Sequence, residues 1–108
     1  MGQSRKLERR SQELQATFEE LLGSRNVYYN PPESVLMDYD AIVFKRTTIN
    51  NKFASNSVYV QLPSNFEVVT ITRDPDAEVI EKVSTMPGCR FVTSYVVDNL
   101  NHNIFTIH

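Results

Sequence analysis

The fold of this chain is decided by residues 65–100, NFEVVTITRDPDAEVIEKVSTMPGCRFVTSYVVDNL. The stretch begins with apolar side chains at alternate positions, passes through Asp-Pro-Asp into a helical pattern, breaks at Pro-Gly and ends in a second alternating run. A period of two indicates a strand, and apolar residues three and four apart indicate a helix. The stretch therefore predicts strand, helix and strand in one compact α+β unit.

The clearest strand spans residues 65–73. Its successive side chains point to opposite faces of a sheet. One face would carry Phe66, Val68 and Thr70, and the other Glu67, Val69 and Ile71. Apolar groups on both faces are typical of a strand inside a sheet, so we expect a central strand.

A helix and a hairpin are expected after this strand. Asp74 would be the N-cap and Pro75 the first helical residue. The apolar face of the helix, which ends near Pro87-Gly88, would consist of Val79, Ile80, Val83 and Met86. Residues 90–97 and 103–108 alternate as strands, and the Asn-rich residues 98–102 between them predict a tight turn.

The first half of the chain predicts a helix and up to three strands. The helix spans residues 6–22 and ends at Gly23, and its apolar stripe consists of Leu7, Leu14, Phe18, Leu21 and Leu22. The strand candidates are residues 26–30, 41–46 and 58–62. In the second of these, Ile42 and Phe44 would face one way and Val43 and Lys45 the other. Residues 47–57 are polar and predict an exposed loop, with Phe53 as its one large apolar residue.

This order of elements predicts an α+β fold. We expect a mostly antiparallel β-sheet of four to five strands, with the N-terminal helix and the second helix packed on one face. A chain of 108 residues is one ordinary domain. Residues 1–23 would contain the N-terminal helix, and residues 26–108 the α+β core.

Composition narrows the class of protein. With 41% apolar and 22% charged residues the chain is of globular type. A formal net charge of −2 argues against a dedicated nucleic-acid binder, which is usually basic. Cys89 is the only cysteine, so we expect a small buried residue and a reducing compartment. No apolar run suits a membrane span or a signal peptide, and we expect a soluble protein made in the cytoplasm with no membrane partner.

The residues that could carry chemistry do not form a recognisable site. Two histidines and one cysteine are too few for a zinc site, and His102 is expected in a solvated turn. Cys89 and His102 would meet only if their strands pair across the hairpin, and no nucleophile motif surrounds them. The carboxylates Asp74, Asp76 and Glu78 lack the glycine and the later glutamate of a calcium loop. We therefore expect no catalytic residue, metal or cofactor, and no enzyme.

Basic side chains crowd the start of the first helix, where the helix dipole disfavours them: Arg5, Lys6, Arg9 and Arg10. One interpretation is that nearby acidic side chains offset this small cost. The other is that the basic end faces an anionic partner such as DNA.

Four stretches carry a resemblance to a known family: YYNPPESV at 28–35, AIVF at 41–44, RDPD at 73–76 and DNLNH at 98–102. In these the chain resembles the tail-terminator and tail-completion proteins of tailed bacteriophages and prophages, encoded in head–tail morphogenesis regions. The resemblance runs from about residue 21 to residue 108.

The resemblance implies a structural protein of the virion. Such a protein forms a ring, usually of six copies, that caps the tail tube, stops its polymerisation and joins it to the head connector. Its partners would be further copies of itself, the tail tube protein, head connector or adaptor proteins and, transiently, the genomic DNA in the lumen, which the basic helix start could face. Subunit contacts would involve Phe53, Tyr28 and Tyr29. Two alternatives remain: another connector protein of the same junction, or a small monomeric domain with weak non-specific nucleic-acid contact.

Overall fold

The computed structural model describes residues 2–47 and 65–108, and for residues 2–9 the course of the main chain only. Two helices and five strands follow in the order α1 Gly2–Leu22, β1 Val27–Tyr29, β2 Ala41–Thr47, β3 Asn65–Thr72, α2 Glu78–Ser84, β4 Cys89–Val97 and β5 Leu100–Ile107. This arrangement confirms the predicted α+β class. The strand predicted at 58–62 and nearly all of the loop predicted at 47–57 lie outside the described residues.

The five strands form one mixed sheet in the order β1-β2-β3-β5-β4. β1 runs parallel to β2, and the other neighbouring strands are antiparallel. β3 is the central strand, as predicted: Val68 lies between Phe44 of β2 and Phe105 of β5. Among the described strands β4 lies at an outer edge of the sheet, although it follows α2 directly in the chain.

Both helices pack on one face of the sheet and enclose the core. α1 contributes Leu14 and Phe18, and α2 contributes Val79 and Val83. The sheet contributes the alternate residues Ile42, Phe44, Phe66, Val68, Phe105 and Ile107. The predicted alternation is therefore confirmed for residues 41–46 and 65–73. Ile42 and Phe44 of β2, and Phe66 and Val68 of β3, were each predicted to share a face, and that face is the one buried under the helices.

The bounds of α1 differ from the prediction at one end only. The helix begins at Gly2, four residues before the predicted start, because a first turn made of polar residues carries no apolar periodicity. It ends as predicted at Gly23, whose φ of 77° is left-handed and whose N–H donates to Glu19 O at 2.9 Å.

The predicted start of α2 is wrong. The helix begins at Glu78 with Ala77 as its N-cap, and no side chain caps it. The Oδ1 of Asp74 instead accepts a hydrogen bond from the N–H of Asp76 at 2.9 Å, with Pro75 inside that turn. Aspartate side chains stabilise such local turns as well as helix starts, and here the turn forms.

The hairpin turn is shorter than predicted. It consists of Asp98 and Asn99, with φ of 51° and 63°, the two positive values that a type I′ turn requires. β5 therefore begins at Leu100. The prediction that His102 lies in a solvated turn is wrong, since this residue is within β5, where its ring stacks on Tyr95 with 4.7 Å between the centroids.

Two glycines with similar backbone angles provide a matched test of the packing near the end of β5. An alanine at Gly23 (φ 77°) would meet nothing within 4 Å, whereas a Cβ at Gly88 (φ 76°) would lie 3.3 Å from His108 O. We expect Gly23→Ala to lower the free energy of unfolding by about 1–2 kcal/mol through strain alone. Gly88→Ala should cost about 1 kcal/mol more because of the added contact. Urea denaturation measures the difference, and equal losses would contradict the close approach.

Candidate interaction surface

The outer side of β4, here called the β4 edge, is the most exposed part of the described sheet. Within the described residues β4 pairs with β5 alone, and every residue from Arg90 to Asn99 is exposed. In a strand at the edge of a sheet, a row of main-chain N–H and C=O groups lacks partners. Such an edge is a template for pairing with another chain.

The side chains of β4 add apolar surface to this edge. The exposed fraction is between 46% and 65% for Phe91, Val92, Tyr95, Val96 and Val97. Residues 91–97 contain no charged side chain, proline or glycine, so the strand has no lysine or proline of the kind that blunts an edge. Exposed large apolar side chains that are concentrated on one strand are typical of an interaction surface.

The helix layer covers only the start of β4. There Cys89 packs against the core cluster. Phe91 contacts the buried Phe105 edge-on, with 5.7 Å between the centroids, and is still 58% exposed. A bulge at Val92 interrupts the pairing with β5 between Phe91 and Thr93, so the ladder consists of two regular parts, residues 89–91 and residues 93–97.

The opposite edge of the sheet is protected. β1 has three residues, and Pro31-Pro32 follow closely. Its Val27 C=O accepts a hydrogen bond of 2.8 Å from the Nε2 of Gln15 on α1. A short strand, a capped carbonyl and prolines each reduce edge pairing. The β1 edge is therefore less able than the β4 edge to pair with another chain.

The predicted contact residues on β1 have separate roles. Tyr29 is 39% exposed, and its ring lies 4.8 Å from that of Phe44, so it presents an aromatic surface at this edge. The hydroxyl of Tyr28 accepts a hydrogen bond from the N–H of Asp38 at 3.1 Å and fastens the segment before β2. Phe53 lies outside the described residues.

The basic cluster is at the start of α1. Arg5, Lys6 and Arg9 lie on its first turns, where the structure describes the main chain only. Arg10 is the first residue with a described side chain, and its guanidinium donates to the main-chain oxygen of His108 at 3.3 Å. This contact ties α1 to the end of β5.

Cys89 and His102 are not brought together. They lie on paired strands, but Cys89 is opposite Ile107 and His102 is opposite Tyr95, and alternation places them on different faces of the sheet. Cys89 is half-buried, and burial raises the pKa of its thiol, which disfavours the reactive thiolate.

The described residues contain no group of three His, Cys, Asp or Glu side chains that could hold a metal ion. A groove of about 320 Å³ lies on the sheet face away from the helices, beside the ion pair of Lys45 and Glu67 at 3.5 Å. Neither described helix has the length and hydropathy that crossing a bilayer requires.

The β4 edge is the candidate interaction surface that sequence reasoning missed. A local signal exists, because residues 91–97 are uncharged and apolar on both faces of the strand. That signal is shared by strands buried inside a sheet, and only the order of the strands separates the two cases. Comparison of the chain with family models, with curated proteins and with solved structures gives no match.

Proposed function

We propose that this protein is a structural subunit of the head–tail junction of a tailed bacteriophage or prophage. In this role it forms a ring, of six copies, that caps the tail tube, ends its polymerisation and joins it to the head connector. It is assembled in the host cytoplasm and resides in the virion. Its partners are its own copies, the tail tube protein and the connector or adaptor proteins.

The observation that carries the proposal is the β4 edge. Nine residues of edge strand with half-exposed apolar side chains favour a protein that is buried against other proteins, because such an edge left in solution promotes aggregation. A closed ring needs two different complementary surfaces on each subunit. The β4 edge and the aromatic surface of Tyr29, which lie at opposite ends of the sheet, would be those two surfaces.

The resemblance supports the specific role. Its four stretches fall on the β1 segment, on β2, on the Asp74 turn and on the β4–β5 hairpin. The basic residues at the start of α1 are the groups through which a ring would contact DNA passing along its lumen. The guanidinium of Arg10 donates to the main-chain oxygen of His108, and DNA binding by this residue would replace that contact.

The test is electron microscopy of particles made without the protein. We expect deletion of its gene from the phage to give overlong tails or tails that are not joined to heads, and expression of the chain in trans to restore virions. Tails of normal length that stay unattached would indicate another connector protein of the junction. Normal virions in the absence of the protein would contradict the proposal.

A further inference from the structure

The β4 edge also has to be accommodated before assembly, when the chain is free in solution. We propose that two copies pair with each other through β4, antiparallel, about a two-fold axis at Ser94. The two five-stranded sheets then form one continuous sheet. This pairing covers the unpaired main-chain groups and the apolar side chains of both copies at once.

The sequence of β4 is complementary to itself in this register. Arg90 and Asp98 stand four residues before and four residues after Ser94. Antiparallel pairing centred on Ser94 therefore brings the Arg90 end of each copy towards the Asp98 turn of the other, with Arg90 displaced by about one position because of the bulge at Val92. Opposite charges thus meet at both ends, and the seven residues between them are uncharged. Parallel pairing in register would instead place Arg90 beside Arg90, which is unfavourable.

The side chains also match across the axis. Ser94 meets Ser94 of the second copy and Thr93 meets Tyr95, all of them in the regular part of β4 that follows the bulge. Val92, at the bulge itself, lies beside Val96 of the second copy. Rotation about a two-fold axis perpendicular to the sheet does not turn the sheet over. The helix layers of both copies therefore lie on the same side of the joined sheet. Space exists on that side, because Phe91 and Val96 are 58% and 65% exposed.

Two copies are better able to pair through β4 than through β1, the strand at the opposite edge of the sheet. The Val27 C=O of β1 is already bonded to Gln15, and β1 offers three residues against nine in β4. The two-fold contact joins identical surfaces, whereas a ring needs two different ones. The pairing is thus a property of the free chain, and it stands or fails independently of the proposed function.

The first test is the size of the purified protein by sedimentation equilibrium, for the natural chain and two matched variants. We expect a monomer–dimer equilibrium whose dissociation constant rises at least about tenfold in Val96→Lys, since two ammonium groups enter the apolar contact. Leu36→Lys likewise replaces an apolar side chain with lysine. Leu36 is 93% exposed and lies between β1 and β2, at the other end of the sheet from β4, so this variant should leave the dissociation constant unchanged. Circular dichroism checks that both variants are folded.

A monomeric natural protein overturns the proposal, and so does an oligomer that Val96→Lys leaves intact. In the first case the edge is reserved for a different protein. In the second case another surface joins the copies.

The second test fixes the register by disulfide formation in a Cys89→Ala background, which contains no other thiol. Directly opposite residues of antiparallel strands have Cα atoms about 4.5–5.5 Å apart, within the range for a disulfide. With oxidised glutathione, Ser94→Cys should give a linked dimer. Thr93→Cys, which faces Tyr95, and Ser84→Cys on α2 should stay monomeric on a non-reducing gel. Equal linkage at residues 93 and 94 would overturn the register.

Discussion

Replacing Phe44 with alanine is expected to lower the free energy of unfolding by about 3–5 kcal/mol. Phe44 is fully buried, and its ring lies 5.1 Å from Phe18, 4.8 Å from Tyr29 and 6.1 Å from Phe66 between centroids. The ring thus contacts α1, β1 and the centre of the sheet. Its removal leaves a cavity, and the surrounding side chains belong to different elements and cannot all move to fill it. A loss of this size is comparable with the whole stability of many small domains.

Urea denaturation followed by circular dichroism measures this loss. The matched control is Leu36→Ala, which removes a large apolar side chain that is 93% exposed and should change the stability by less than about 0.5 kcal/mol. A loss below about 1 kcal/mol for Phe44→Ala would contradict the position of this ring at the centre of the core.

Aspartate at two successive positions of β3 is expected to have very different effects. Val68 is fully buried beneath the helices, so Val68→Asp places a carboxylate in the core and should cost about 5 kcal/mol or more. Val69 faces the other side of the sheet and is half-buried, so Val69→Asp should cost about 1–2 kcal/mol.

The comparison of these two aspartate variants tests the register of the central strand directly. We expect circular dichroism at 25 °C to show an unfolded chain for Val68→Asp and a folded one for Val69→Asp. Similar losses of stability in both variants would mean that both faces of the strand are covered to the same extent. A larger loss at Val69 would mean that the face assignment is reversed.

The faces of β2 and β3 and the helix before Gly23 could be predicted because they depend on neighbouring residues. Alternation over residues 65–73 places Val68 and Val69 on opposite faces whatever the rest of the fold is. The left-handed angle at Gly23 likewise depends on local backbone freedom. Such features are recorded in short stretches of sequence.

The start of α2 and the length of the hairpin could not be predicted in the same way. Asp-Pro-Asp is compatible both with a helix start and with the turn that Asp74 forms, and these differ little in free energy. In the hairpin, polar residues continue past the two-residue turn into β5, where His102 stacks on Tyr95. A prediction from polarity alone therefore starts β5 at residue 103, whereas the strand begins at Leu100.

The interaction surface depends on an order of strands that no local pattern contains. β4 lies at an edge because β5 pairs with β3 on one side and with β4 on the other. The pairing of β3 with β5 joins residues that are far apart in the chain. The prediction that Tyr29 takes part in subunit contacts came with the resemblance and did not depend on the order of the strands. The apolar residues of β4 resembled those of a buried strand.

The claim that the chain acts through the β4 edge is tested most directly by tail morphology in phage that depend on a Val96→Lys variant. The gene-deleted phage is complemented with this variant or with Leu36→Lys, and the fraction of tails that are overlong or unattached is counted in negatively stained particles. We predict that the Val96→Lys particles resemble those made without the protein, whereas Leu36→Lys restores normal virions. Normal virions with a folded Val96→Lys variant would contradict the account.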